Sequence, residues 1–269
     1  MRFLIQLMKI AFICTCIIGS SVFAVDPEVQ EYTTQVHLLS RTQDLSKTTL
    51  VEVEHSNILS ADITGIYYLV PYRNRRLKWG KTISLGLSNF NPLNYEPNFL
   101  ASDFKDVYST SFPSLMELQF VLKRNFILGS IGAELGAGLY NKTSVNDAVD
   151  SRIELIPVRF GINVNFDNLF FEPYLVPYAS GGVYTMIFKE NTSSVSHGGN
   201  TQVAPYFSVG VALQLNWLDR EAARVSYMDS GMENTFLYIE GRMFMVSQNA
   251  SDPDFSTGLN WGAGMRVEF

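Results

Sequence analysis

Apolar and polar residues alternate with a period of two through most of the chain after residue 79. In the segment LMELQFVL at 115–122, apolar residues take the even positions, and Glu117 and Gln119 lie between them. Alternation of this kind predicts a β-strand with one apolar and one polar face. The pattern predicts eight strands, at 80–88, 115–122, 127–140, 152–166, 171–188, 203–215, 235–246 and 258–269.

The connections between the predicted strands alternate between long and short. Tight turns are predicted at Lys123-Arg124-Asn125 and at 167–170. The connection at 216–234 is longer than a turn, and Asp219 is predicted to cap a helical turn that reaches Val225. The long connections are polar and cover 89–114, 141–151, 189–202 and 247–257.

A sheet with one apolar face forms a soluble barrel when that face points inward, and a membrane barrel when it points outward. The polar faces here carry mainly glycine, serine and other small residues with isolated charges. Several strands have about 10 residues or more, the length that a tilted strand needs to cross a bilayer. Alternating long and short connections are typical of outer-membrane barrels. We therefore predict an all-β fold, a transmembrane antiparallel up-and-down β-barrel in one domain.

Residues 1–24 are predicted to be a secretory signal peptide. Arg2 and Lys9 supply its positive n-region, an apolar run follows, and residues 22–24 (VFA) resemble a cleavage site. The apolar run after Lys9 is too short to span a bilayer.

The C-terminal segment NWGAGMRVEF at 260–269 alternates strictly and ends in an aromatic residue. It resembles the last strand of Gram-negative outer-membrane β-barrels, and the whole pattern is similar to the OmpA, OmpX and OmpW size class. The resemblance implies that the barrel-assembly machinery is a partner and that it reads Trp261 and Phe269 as an assembly signal. We predict that residues 79–269 form the barrel and that this strand closes it.

Eight barrel strands are predicted, and ten strands are the alternative. Residues 48–54 and 61–70 could add a hairpin, joined to the rest through the basic turn at 73–76. Otherwise the segment 25–78 is a periplasmic extension or a plug.

An even strand number with both termini in the periplasm places the long connections outside the cell. The predicted location is the bacterial outer membrane, and the predicted lipid partners are outer-membrane lipid and lipopolysaccharide. Tyr140, Phe166, Trp261 and Phe269 are then expected near strand ends, as aromatic girdles are. The pattern identifies no ligand for the extracellular loops.

The predicted lumen faces collect charges of both signs. In an eight-stranded barrel the interior is filled by side chains, so these groups can pair and form a polar core. The alternative is a gate or a narrow pore in which a charged ring sets ion preference. The residues of this lumen charge cluster are Glu117, Glu134, Arg159, Glu240, Arg242, Arg266 and Glu268.

The first long connection is rich in aromatic residues. Such a loop either folds over the barrel mouth and extends the strands, or forms a contact surface for adhesion or a partner. The loop aromatics are Phe90, Tyr95, Phe99, Phe104, Tyr108 and Phe112.

Composition argues against nucleic-acid binding and thiolate chemistry. Without the predicted signal, 18 basic residues stand against 26 acidic ones, a net charge of about −8, where nucleic-acid binding needs a basic surface. Both cysteines, Cys14 and Cys16, lie within the signal, so the mature chain can form neither disulfides nor thiolate metal sites.

The three histidines predict neither a metal site nor a catalytic site. His37, His55 and His197 show no metal-ligand spacing, so no metal or cofactor is predicted. His55-Ser56-Asn57 resembles the His-x-Ser-Asn of lipid A deacylases but lacks the intervening residue, and no catalytic residue is predicted. We predict a non-enzymatic barrel with a structural, adhesive or surface-interaction role. A small pore for ions or small solutes is the second hypothesis, and a lipid-modifying enzyme is the third.

Overall fold

The computed structural model describes residues 58–61, 67–69, 71–95, 103–108, 114–144, 151–192, 195–249 and 251–269. The chain divides into two units, 1–49 and 50–269, and every described residue belongs to the second. The predicted signal peptide, the histidines at 37 and 55, and the loop residues Phe99 and Phe112 lie outside the described residues.

Eight of the described strands close into an antiparallel barrel, which confirms the predicted fold. These strands are β3 (Trp79–Ser88), β4 (Leu115–Phe126), β5 (Gly129–Thr143), β6 (Ser151–Asn165), β7 (Leu175–Thr192), β9 (Ala204–Gln214), β10 (Asn234–Phe244) and β11 (Asn260–Glu268). Three further strands are β1 (Ile58–Ala61), β2 (Tyr67–Leu69) and β8 (Ser196–Asn200). The helices are α1 (Tyr72–Arg75), α2 (Phe104–Val107) and α3 (Arg220–Ser230).

The barrel closes between its first and last strands, as predicted for the C-terminal segment. β11 pairs with β10 on one side and with β3 on the other, with Met265 opposite Leu85. β1 and β2 pair only with each other, in a separate two-stranded sheet, so the ten-stranded alternative is wrong for the described residues. β8 pairs with the last part of β7, where Ile187 lies opposite Asn200.

The outer surface of the barrel is a continuous apolar belt. Exposed fractions in this belt are 54% for Leu85, 60% for Phe160 and 59% for Ile239. An exposed apolar surface on every strand is unfavourable in water, but it is favourable in contact with the acyl chains of a bilayer. Each barrel strand contributes at least one of Leu85, Leu118, Leu135, Phe160, Val183, Val209, Ile239 and Met265.

The two ends of the barrel differ. At one end, called the turn end, lie the short connections, residues 71–78 and Phe269, and at the other, the loop end, lie the long connections. The first turn consists of Ile127 and Leu128, so the turn predicted at Lys123-Arg124-Asn125 is wrong. Those three residues continue β4, and Lys123 is buried inside the barrel.

The third connection at the turn end holds α3. The Asp219 side chain accepts a hydrogen bond from the Ala222 N–H, which confirms the predicted cap, and the helix extends past Val225. It ends at Gly231, whose φ of 69° is a left-handed conformation that glycine adopts without steric cost. No helix within the described ranges is long and apolar enough to span a membrane.

Candidate functional site in the barrel lumen

The middle of the lumen is filled by a network of paired charges. Arg159 is fully buried, and its guanidinium contacts Glu134 at 2.8 Å and Glu117 at 3.2 Å. Arg242 bridges Glu117 and Glu240, so the five charged groups form one chain across the lumen. Charge-assisted bonds of this kind are about twice as strong as neutral ones, and they offset part of the desolvation cost of burying the ions.

Tyrosine hydroxyls add hydrogen bonds to the carboxylates of this network. The Tyr206 hydroxyl donates to Glu134 at 3.0 Å, and the Tyr206 ring lies 5.1 Å from the Arg159 guanidinium. The Tyr178 hydroxyl donates to Glu240 at 3.2 Å. A Cβ atom at Gly136 would lie 2.8 Å from Arg159 Nη2, so glycine on this face makes room for the guanidinium.

Arg266 lies between two tyrosine rings. Its guanidinium is 4.2 Å from the Tyr178 ring centroid and 5.2 Å from that of Tyr238. It donates to Ser84 at 3.1 Å and to Asn165 at 3.3 Å. These contacts fill the cross-section of the lumen with planar side chains.

A second charge network occupies the lumen at the turn end. The Lys123 ammonium contacts Glu268 at 2.5 Å and Asp167 at 2.7 Å, and all three residues are buried. The Tyr72 hydroxyl donates to Glu268 at 2.6 Å. Burial, and then the negative charges of Glu268 and Asp167, raise the pKa of Tyr72 well above its usual value, so its hydroxyl remains a donor.

Helix α1 closes the turn end by contacting all three short connections. Arg76 donates to Asp167 at 3.2 Å and to the Gly129 carbonyl at 2.6 Å. Arg75 donates to the Glu233 carbonyl at 3.1 Å and pairs with Glu172. These contacts place the segment 71–76 across the opening of the barrel at the turn end.

Glu233 lies beside this closure, in the connection before β10. Burial, and then repulsion from Glu268, raise the pKa of its carboxyl to about 7, although nearby Arg75 lowers it. A carboxyl with such a pKa exchanges its proton near neutral pH.

The loop end is closed by an aromatic cluster. Phe90, Tyr95, Phe104 and Tyr108, four of the predicted loop aromatics, are buried and pack with Phe255 and other rings. Tyr95 stacks on Phe255 with centroids 4.7 Å apart. The cluster therefore lies over the barrel mouth, the first of the two arrangements considered for these residues.

Glu190 anchors this aromatic cluster from within. Its carboxylate accepts hydrogen bonds from the Tyr95 hydroxyl at 3.1 Å and from the Tyr108 hydroxyl at 2.8 Å. Burial is the main cause that raises the pKa of both tyrosines above the usual range, so they remain donors. Glu190 therefore holds two residues of the long loop against β7.

A cavity of about 10 Å³ lies in the lumen beside the turn-end network, lined among others by Thr82, Asn165 and Phe236. A single water needs about 10–15 Å³.

The closed antiparallel sheet, the apolar belt and the side-chain-filled polar lumen occur together in one class of protein. The protein is an eight-stranded transmembrane β-barrel.

Comparisons with solved structures find matches at low sequence identity. Ail, the attachment invasion locus protein of Yersinia pestis, is 10% identical and aligns over 71% of this chain and 97% of its own, with a TM-score of 0.39. The N-terminal β-barrel domain of Pseudomonas aeruginosa OprF is 13% identical over 71% of this chain and 96% of that domain, with a TM-score of 0.34. Neisserial surface protein A is 9% identical over 72% and 98%, with a TM-score of 0.33. No protein family and no curated protein matches the chain.

The structure divides the predicted lumen charge cluster into three groups. Five residues form the middle network, Arg266 lies between the tyrosine rings, and Glu268 belongs to the turn-end network. From sequence, turns are predicted at Lys123 and Asp167, and their place in the lumen is therefore missed. Lys123 lies two residues after Val121, and Asp167 lies two residues after Asn165, so both follow the alternation of the lumen face.

The two residues predicted as the assembly signal lie on the lipid side. Trp261 is 58% exposed, and Phe269 exchanges two backbone hydrogen bonds with Lys81 across the closing seam. Their recognition during assembly stays a prediction. Phe166 is exposed near a strand end, but Tyr140 is fully buried in the aromatic cluster, so its expected place in a lipid-facing girdle is wrong.

Groups that could perform catalysis or bind a metal are sparse. His197 lies on the exposed strand β8, and its ring is 5.7 Å from that of Phe188. Within the described ranges, no three His, Cys, Asp or Glu residues are arranged to bind a metal ion.

Proposed function

We propose that the protein is a closed, non-conducting and non-enzymatic scaffold that displays its long connections on the cell surface, in a structural, adhesive or interaction role. The observation that carries this proposal is the filled lumen. Helix α1 and the Lys123 network fill the turn end, the Arg159 network fills the middle, and aromatic rings fill the loop end. Ions crossing this barrel would have to break paired charges at two levels.

Planar-bilayer recording tests the closed lumen against the pore hypothesis. Purified, refolded protein should produce no discrete current steps, since paired charges and aromatic rings occupy the described lumen at three levels. A general porin recorded under the same conditions is the positive control. Reproducible steps whose ion selectivity changes in the Glu240→Gln variant would overturn the proposal and favour a gated pore.

The extension of β7 and β8 supports a role for the loop end in surface contact. β7 has 18 residues, whereas about 9–11 residues suffice for a strand to cross a bilayer. The last part of β7 pairs with β8, whose five residues are all exposed. A rigid hairpin that extends beyond the membrane is a suitable position for contacts with other molecules.

Cysteine labelling in whole cells tests the proposed orientation. We expect Val195→Cys, at the loop end, to react with a membrane-impermeant maleimide in intact cells, because Val195 is 64% exposed. The matched variant Ile127→Cys, in the first turn and 82% exposed, should react only after the outer membrane is permeabilised. The native cysteines fall within the predicted signal peptide, so background labelling should be low. The reverse labelling pattern would overturn the orientation.

A further inference from the structure

A groove of about 170 Å³ lies between α3 and the ends of β9 and β10 at the turn end. An apolar cavity of about 150 Å³ is large enough for a benzene-sized group. None of the ion-paired residues of the two lumen networks lines this groove. Its lining residues are Leu215, Asn216, Asp219, Ala222, Ala223, Ser226, Met232 and Thr235.

The groove exists because α3 lines it with small side chains. Ala222, Ala223 and Ser226 are too short to fill the space between the helix and the strand ends. No residue of α3 is buried, so the helix is not packed as part of a protein core. Amphipathic helices that lack a protein core to cover them are stable at a membrane surface.

The wall of the groove continues the lipid-facing surface of the barrel. Leu213 pairs with Leu237 across β9 and β10, and both side chains are exposed in the apolar belt. The next pair toward the turn end is Leu215 and Thr235. The Leu215 N–H donates to the Thr235 carbonyl at 2.8 Å, and both residues line the groove. An acyl chain lying along these two strands would therefore enter the groove without leaving the apolar surface.

Two polar residues of the groove, Asn216 and Asp219, already have partners. The Asn216 amide donates to the Glu233 carbonyl at 2.9 Å and accepts from the Thr235 N–H at 3.0 Å. Asp219 caps α3. With Asn216 and Asp219 engaged in the fold, and with four of the other six lining residues apolar, the groove favours an apolar occupant over a polar solute.

The residues that flank the groove are those found at membrane interfaces. Trp217 is 48% exposed and Leu218 is 64% exposed, immediately before α3. Val225 and Met228 are exposed on the helix itself. Tryptophan concentrates at the boundary between acyl chains and head groups, where its ring is buried and its N–H reaches water.

We propose that the segment 217–230 lies in the head-group layer of the leaflet at the turn end, and that its groove binds one acyl chain of a phospholipid. The barrel would then retain this lipid as a specific ligand, whereas the rest of its apolar belt contacts exchanging lipid. This site is independent of the proposed closed scaffold, because it lies on the outer wall.

Tryptophan quenching tests the depth of this segment. The variant Trp79→Phe/Trp261→Phe leaves Trp217 as the single tryptophan of the chain. In phosphatidylcholine vesicles with bromine at defined acyl positions, Trp217 emission should be quenched most by bromines close to the head group. A second variant that keeps only Trp261, which is exposed in the apolar belt, is the positive control for quenching. Water-like emission from Trp217 with no quenching would overturn the proposal.

Native mass spectrometry tests the groove itself. The wild type, extracted with mild detergent and incubated with phosphatidylethanolamine, should carry one lipid adduct. The variant Ala222→Leu/Ser226→Leu fills the groove and should lower lipid affinity roughly tenfold, equivalent to about 1.4 kcal/mol. Val195→Leu, at an exposed position of the loop end far from the groove, should leave the adduct unchanged. Equal lipid occupancy in all three proteins, or a dimer peak in place of the lipid adduct, would overturn the assignment.

Discussion

We expect Arg159→Met to lower the free energy of unfolding by about 3–5 kcal/mol, the usual effect of breaking a buried ion pair. The Arg159 guanidinium is fully buried and is the ion-pair partner of Glu134 at 2.8 Å. Methionine fills a similar volume but leaves Glu134 with only neutral donors, Tyr206 and Asn163. Urea titration of the protein in lipid vesicles, followed by tryptophan fluorescence, measures the change.

The same strand provides a control for this substitution. Arg152 pairs with Glu154 at 3.0 Å near the loop end of β6, but its side chain is half exposed. Surface ion pairs contribute about 0–1 kcal/mol, so Arg152→Met should have little effect. The double variant Glu134→Gln/Arg159→Met should recover part of the loss, because it removes the uncompensated charge. Similar losses for Arg159→Met and Arg152→Met would contradict a charge network at the centre of the lumen.

Alternation predicts the strands and their lumen face, whereas the choice of a membrane barrel also depends on strand length, loop length and the C-terminal segment. A side chain in a strand points to the face opposite that of its neighbour, so one polar and one apolar face can be read without homologues. The seven predicted charges are all buried in the lumen. Sequence could not show that Arg159 joins Glu134 and Glu117, because the pairing depends on register between strands and on the length of each side chain.

Contacts made by chain segments outside the regular strands were the hardest to predict. The segment around Tyr72 has no alternation, and its place across the turn end depends on carboxylates more than 90 positions away in sequence. Tyr140 shows a second limit. Tyr140 continues the alternation of β5 on the inner face, but an aromatic residue near a strand end is also typical of a lipid-facing girdle. Its packing against Phe90 shows that the inner position is the correct one.

The filled lumen also explains where glycine occurs. A Cβ atom at Gly86 would lie 2.2 Å from the Tyr238 hydroxyl, so Tyr238 of β10 can extend past β11 to β3 only because Gly86 has no side chain. Small residues on the polar faces, which in the sequence suggested a membrane barrel, therefore make room for large planar side chains from neighbouring strands.

Lys123→Met should cause the second large loss, also about 3–5 kcal/mol. The substitution leaves Asp167 and Glu268 buried near each other, with the Lys123 ammonium no longer between them. Tyr72 contacts both carboxylates but can donate only one proton. Helix α1 should therefore dock less tightly, and trypsin should cleave after Arg76 faster than in the wild type. Urea titration in vesicles and timed proteolysis measure the two effects.

The adjacent residue separates this effect from a general loss of positive charge. Arg124 is exposed, and its guanidinium lies 5.9 Å from the Trp79 ring on the outer side of β4. Arg124→Met removes the same charge from the same strand but leaves the turn-end network intact, so both unfolding and proteolysis should resemble the wild type. If Arg124→Met and Lys123→Met behave alike, the turn end is not closed by Lys123, because only one of these two cations lies between the carboxylates.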